Sequence, residues 1–177
     1  MKYVALLRGI NVGGNNKVEM KRLKACFEAL GFDNVSTYIN SGNVIFATKE
    51  KDETKLIAKI ERAIEKEFGF KVRVVVRDSK NIVKVLKSIP VNWNNDAEQK
   101  TDVLFLWQEY ASPKSTELIE TNSKVDTLKY IDGAIVWNLK KKDYGKSGMH
   151  KFIGTEVYKN MTARNINTLR KLAEIIQ

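Results

Sequence analysis

The first element that the apolar pattern defines is residues 3–7, a continuous apolar run flanked by polar and charged positions. At this length such a run predicts a strand buried on both faces and central in its sheet. Met20, Leu23, Phe27 and Leu30 then recur at helical spacing, and Gly31 stands where a helix end wants a left-handed residue. Cys26 shares the face of Leu23 and reads as a small core residue more readily than as a reactive thiol. Residues 35–39 and 44–48 are β-rich runs around Asn40, Ser41, Gly42 and Asn43, which is good hairpin chemistry. Leu56, Ile60, Ala63 and Ile64 form one stripe of a long helix over residues 53–68, and residues 71–77 close the half as a strand. Strand, helix, strand, strand, helix, strand is the split βαβ order of ferredoxin-like folds.

The second half repeats the strand, helix, strand, strand order, followed by helical sequence, without a residue-level repeat. A helix carrying Ile82, Val85, Leu86 and Ile89 is stopped by Pro90, and VNWNNDAEQK reads as a linker. Residues 103–107 form another apolar strand. Ser112 and Pro113 then look like a cap and first helical position, predicting a helix to about Thr121. Residues 125–131 and 134–139 make a second hairpin around Asp132 and Gly133. KKKDYGKSG at 140–148 reads as an exposed basic loop, and Ile166, Leu169, Leu172, Ala173 and Ile176 as a last helix capped by Thr162 or Asn165. The expected architecture is α+β, a tandem of two ferredoxin-like (split βαβ) subdomains with antiparallel sheets plus C-terminal helices. Residues 1–77 form the first subdomain, 78–100 a helix and linker, and 101–177 the second subdomain.

Composition narrows the function classes. A chain of 177 residues with 43% apolar content supports a real core. It lacks an apolar run near the roughly 20 residues that span a bilayer, and a cytoplasmic location is expected. One cysteine and one histidine exclude an internal disulfide and any metal site built on several of these ligands, so no metal or cofactor is expected. Net charge of +10 and a pI near 9.6 suit a phosphate-bearing partner, nucleotide or nucleic acid, and equally suit plain solubility. Oligomeric state is left open.

The candidate site follows from topology. In a split βαβ unit the loop after the first strand and the first hairpin turn leave the sheet at the same edge. That brings RGINVGGNN beside INSGN, so Arg8, Asn11, Asn40, Ser41 and Asn43 converge on a patch rich in hydrogen-bonding groups with one fixed cation. Such a patch suits a phosphate or carboxylate, helped by the amides that open the next helix. The competing reading is structural: asparagine and glycine serve turns with positive φ, and Asn16 with Glu19 forms an internal capping box.

Established nucleotide motifs fail on spacing. Asn15 stands where a phosphate-binding loop after Gly9 and Gly14 needs lysine, Gly145-Lys146-Ser147 has Lys140 in place of the leading glycine, and no GxGxxG occurs. An enzyme acting on a phosphorylated or carboxylated metabolite would use Ser41 or His150, with Ser147 three residues from that histidine. A protein-interaction module would use Trp93 and the linker. Base stacking in the manner of RNA-binding ferredoxin-like domains has only Tyr3 and Phe46 to work with, without the aromatic signature.

Three stretches, RGINVGGNNKVEM, TYINSGNVIF and MTARNINTLRKL, together resemble the bacterial family catalogued as domain of unknown function (DUF) 1697. The resemblance covers essentially the whole chain and implies two ferredoxin-like α/β subdomains in tandem, with no established biochemical activity. It also points to Arg164, which with Thr162 and Asn165 matches the family's Thr-x-Arg-Asn pattern and suits a second cation for the site, or else a structural ion pair.

Overall fold

A computed structural model describes all residues, Met1–Gln177. The chain divides into two compact units, Met1–Ile82 with Leu172–Gln177, and Val83–Lys171. In the first, β1 (Lys2–Leu7), α1 (Met20–Ala29), β2 (Asp33–Tyr38), β3 (Asn43–Ala47), α2 (Glu53–Phe68) and β4 (Val74–Asp78) follow in order, and the helix α3 (Ser79–Lys87) begins here and ends in the second unit. The strands form one antiparallel sheet in the order β2-β3-β1-β4. β1 is buried after Lys2 and lies between β3 and β4, which is what its unbroken apolar run requires.

The helices pack their apolar stripes on this sheet. Leu23 and Phe27 of α1 and Leu56, Ile60 and Ile64 of α2 are buried, joining Tyr3, Phe32 and Phe46 in one core. Phe46 stacks on Phe32 at 4.5 Å and meets Phe27 edge-on at 5.5 Å, arrangements that add to plain area burial. α2 starts on Asp52, whose carboxylate accepts from the amides of Thr54 and Lys55, and stops at Gly69 with φ 80°. Cys26 is half-buried, and burial pushes its thiol pKa up, with Glu67 adding to the shift.

The second unit continues with β5 (Gln99–Leu106), β6 (Thr127–Ile131), β7 (Ala134–Lys140), α4 (Met149–Phe152), α5 (Glu156–Lys159), β8 (Met161–Asn165) and most of α6 (Ile166–Ile176). Its sheet order, β6-β7-β5-β8, repeats that of the first unit and is again antiparallel. Asp132 (φ 45°) and Gly133 (φ 86°) make the tight turn between β6 and β7. The molecule is thus α+β with two four-stranded antiparallel sheets. No helix is long and apolar enough to cross a membrane.

Three local expectations are corrected. No α-helix follows Ser112: Gln108–Tyr110 and Pro113–Thr116 are 3-10 turns, in which the hydroxyls of Ser115 and Thr116 bond the carbonyls of Tyr110 and Pro113 and compete with helix formation. KKKDYGKSG is exposed over 140–146 apart from half-buried Asp143, but Lys141–Lys146 is a 3-10 segment rather than loop, and Ser147 and Gly148 are buried. Thr162 does not cap α6. It lies buried in β8, a strand the sequence pattern did not announce, and of the two expected caps Asn165 is the one used, accepting the Thr168 amide at 2.9 Å.

Candidate functional site

The antiparallel register of the first sheet gathers three connections at one edge. β1 ends at Leu7 opposite Val74, the start of β4, while Leu6 faces Asn43, the start of β3. The segment after β1, the turn between β2 and β3, and the approach to β4 therefore leave together. Backbone bonds fix them: the Leu7 amide donates to Gly42 O at 2.8 Å and the Arg8 amide to Arg73 O at 3.0 Å.

The glycine-asparagine loop is a short hairpin finger. Asn11 N donates to Asn16 O and Asn15 N to Val12 O, each at 3.1 Å, with Gly13 (φ 59°) and Gly14 (φ 80°) at the tip. Positive φ at both central residues is the turn geometry that suits a two-residue hairpin, which is why two glycines sit there. Asn11 and Asn16 flank it, also at positive φ. All six residues, 11–16, are exposed.

Asn11 joins this finger to the neighbouring turn. Its Nδ2 donates to Val18 O and to Asn40 O, both at 2.9 Å, and its Oδ1 accepts the Val18 amide at 2.8 Å. The two loops are thus brought together, with Asn11 acting as a clamp whose amide is committed. Asn43 is also a clamp: it is fully buried, and its Nδ2 donates to Tyr38 O at 2.9 Å and Ser41 Oγ at 3.0 Å. Gly42 is required twice over, by its φ of 76° and because a Cβ there would sit 2.7 Å from Leu7 Cβ and Ile10 Cδ1. The capping box expected from Asn16 and Glu19 does not form. Asn16 Nδ2 donates to Gly9 O at 3.1 Å, and α1 opens at Glu19 without a side-chain cap bond.

Of the sequence candidates, Asn40 is exposed at the edge, Arg8 and Ser41 are half-buried, and Asn11 and Asn43 hold the loops in shape. Arg73 and Lys71 were missed. They reach the same edge, exposed, because β4 runs antiparallel to β1, and that direction was readable from the split βαβ order. Ile39, at the corner of the β2–β3 turn, has φ 50° and is 49% exposed. A β-branched residue held there is a backbone outlier.

Arg164 belongs to the second unit. It lies on β8 opposite Val103, buried, and its Nη1 donates to Thr162 Oγ at 3.0 Å and Ala163 O at 2.7 Å. Burial pulls the guanidinium down to about 10, still protonated at neutral pH. Arg77 occupies the matching place in the first unit: its Nη1 donates to Val76 O at 2.8 Å, opposite Val4. Asp78, which follows it, accepts the Asn81 amide just as Asn165 accepts that of Thr168.

The same correspondence supplies an internal comparison for the loop edge. In the second unit Leu106 N donates to Gly133 O at 2.9 Å and Trp107 N to Asn160 O at 3.1 Å, the same two bonds that Leu7 and Arg8 make. Trp107 and Asn160 therefore stand where the first unit has Arg8 and Arg73. The backbone forms this edge without either arginine.

Ser147, His150 and Trp93 all lie in the second unit. Asp126, buried in the second unit, accepts Trp137 Nε1 (3.0 Å) and Ser147 Oγ (2.5 Å) on Oδ1, and the amides of Asn122 and Gly148 (each 2.8 Å) on Oδ2. Burial works to raise the carboxyl, but these donors, the Ser147 hydroxyl foremost, outweigh it and hold the pKa below the ordinary value. His150 is exposed, stacked edge-on against Tyr144, with Nε2 3.0 Å from Tyr144 O. Trp93 is half-buried, its carbonyl accepting from Arg170.

These features fall within a recognised family. A family model described as "Protein of unknown function (DUF1697)" matches residues 1–136, so the chain belongs to the DUF1697 family. The motif around Arg164 lies beyond the matched residues. A conserved bacterial protein from Streptococcus pneumoniae of known structure is similar throughout: 28% identity, 99% of this chain and 98% of that one covered, TM-score 0.85. No curated protein matches the sequence.

Proposed function

We propose that the loop edge of the first unit binds the anionic group of a nucleotide or of a nucleic acid. The observation that carries this reading is the contrast between the two units. Both make the same strand-end hydrogen bonds, yet Arg8 and Arg73 in the first correspond to Trp107 and Asn160 in the second. The arginines are not needed to form the edge, and paired guanidinium forks suit phosphate oxygens. The clamped finger adds support: its exposed glycine tip brings backbone amides to the surface without side chains to screen them. An overall charge of +10 favours the approach of such a ligand.

A thermal-shift series across nucleotides, RNA and DNA tests the reading. Stabilisation by at least one of these ligands is expected, and substituting Arg8 and Asn40 with alanine removes it while leaving the ligand-free melting profile in place. Equal melting with and without every ligand contradicts it.

A further inference from the structure

The first unit carries a second basic surface, on the outward side of α2. Lys55, Lys59, Arg62 and Lys66 line a shallow groove floored by Leu30 and Ala58. Their spacing of four, three and four residues puts them within an arc of about 60° on the helix, in a row about 16 Å long. All four are exposed, and the row is turned about 130° from the buried stripe of Leu56, Ile60 and Ile64.

Of the glutamates on α2, Glu65 is exposed three residues from Arg62 and lines a surface pocket with it, while the others are engaged elsewhere. Glu61 Oε1 accepts the Val74 amide at 2.8 Å, Glu67 pairs with Arg22 at 2.7 Å, and Glu53 lies 3.8 Å from Arg77. Lys55 lies 3.9 Å from Asp52, the outer limit of an ion pair, and Arg62 and Lys66 take part in none. Lys59 is held in place: its Nζ donates to Leu30 O at 2.7 Å and sits 5.1 Å over the Phe32 ring.

Glu61 and Glu65 flank the row on the same helix, but within the row itself the signs are not interspersed as a face serving solubility alone would have them. Here Lys55 and Lys59, and again Arg62 and Lys66, are like charges four residues apart, which weakens a helix, and Lys55 opposes the dipole at the first turn. A linear polyanion relieves all of these repulsions at once. We infer that this face of α2 docks the phosphate backbone of a nucleic acid, without reading its sequence. An anionic membrane fits less well, because an interfacial helix anchors through large apolar side chains, and none of the chain's exposed large apolar residues lies on α2. The inference stands apart from the loop-edge proposal, since it uses different side chains.

The test is fluorescence anisotropy of the full chain with a labelled single-stranded RNA of about 20 nucleotides over a salt series. Four phosphate contacts predict a log–log slope near −3, at about 0.7 per contact on a single strand. Lys59→Glu with Arg62→Glu is expected to weaken binding at least tenfold and to flatten the slope by about half. Lys55→Gln with Lys66→Gln, which only neutralises charge, is expected to act in the same direction and stands in should the reversal variant not fold. Arg8→Ala, by contrast, leaves most of the slope. Absence of RNA binding, or binding unchanged by both α2 variants, overturns the inference, as does RNA binding that only Arg8→Ala removes. Binding to phosphatidylserine-containing vesicles but not to RNA overturns it in favour of a membrane.

Discussion

Asn11 donates through Nδ2 to the carbonyl oxygen of Asn40 at 2.9 Å, across 29 residues of sequence. The same amide group closes two further bonds with Val18. Replacing it by alanine leaves partly buried backbone groups unpaired, for which a loss of about 2 kcal/mol is expected. In a protein of this size that lowers Tm by roughly 4–8 °C. Asn11→Gly, which keeps the positive φ and removes only the bonds, is expected to lose nearly as much. Calorimetric melting of both variants checks this, and a loss in Asn11→Gly below about a quarter of that in Asn11→Ala would assign the residue's role to backbone conformation alone.

Ile39 holds a backbone geometry that asparagine adopts far more easily. Its side chain is half exposed, so little packing is given up on replacement. Ile39→Asn is expected to stabilise the protein by about 1 kcal/mol. Chemical denaturation measures it, and a destabilised variant would show that Ile39 contributes more through contact than it loses through strain.

Asp126 makes the second unit sensitive to acid. Its folded pKa lies below the ordinary carboxylate value, so its stabilisation is fully present above the unfolded pKa of about 3.9 and is lost as pH falls through the lower folded value. Asp126→Asn sets an amide group against four donors and is expected to lose about 2–4 kcal/mol at pH 7, while flattening the fall in stability below about pH 4. Denaturation curves from pH 7 to pH 3 for both proteins test this. Parallel acid profiles would rule out Asp126 as the source.

Gly148 lies beside that carboxylate, and a Cβ on it would fall 2.0 Å from the Glu120 carbonyl oxygen. Gly148→Ala must therefore displace backbone, with an expected loss of about 1–3 kcal/mol. A melting profile unchanged within error would show that residues 120–121 yield without penalty.

Much of the first unit was legible because its elements carry clean periods. The apolar run of β1, the stripe of α2 and the Gly31 stop after α1 all state their roles locally. Convergence of the two loops followed from topology alone. What did not follow was the use of each asparagine. Nothing in the spacing separates Asn40, exposed, from Asn43, fully buried under its own turn. Asn43 directly follows Gly42, which lies too close to Leu7 and Ile10 to carry a Cβ, a tertiary contact that spacing does not show. In the second unit several missed features come from side-chain bonds that spacing does not reveal, local ones at Ser115 and Thr116 and long-range ones at Asp126. Asp126 gathers donors from residues 122, 137, 147 and 148, and this draws Ser147 and Gly148, at the end of a stretch that reads as solvated loop, into the interior. The hidden strand β8 reads as a helix cap until Met161, Thr162 and Arg164 are seen to be buried against β5.

The most direct test of the central claim is a nuclear magnetic resonance titration that follows backbone amides while a nucleotide, and then a short RNA, is added. Ligand binding at the loop edge is expected to shift Gly13, Gly14, Asn40 and Ser41 and to leave Asp132 and Gly133, the matching turn of the second unit, unmoved. Equal movement at both turns, or none at residues 9–17 and 39–42, would contradict it.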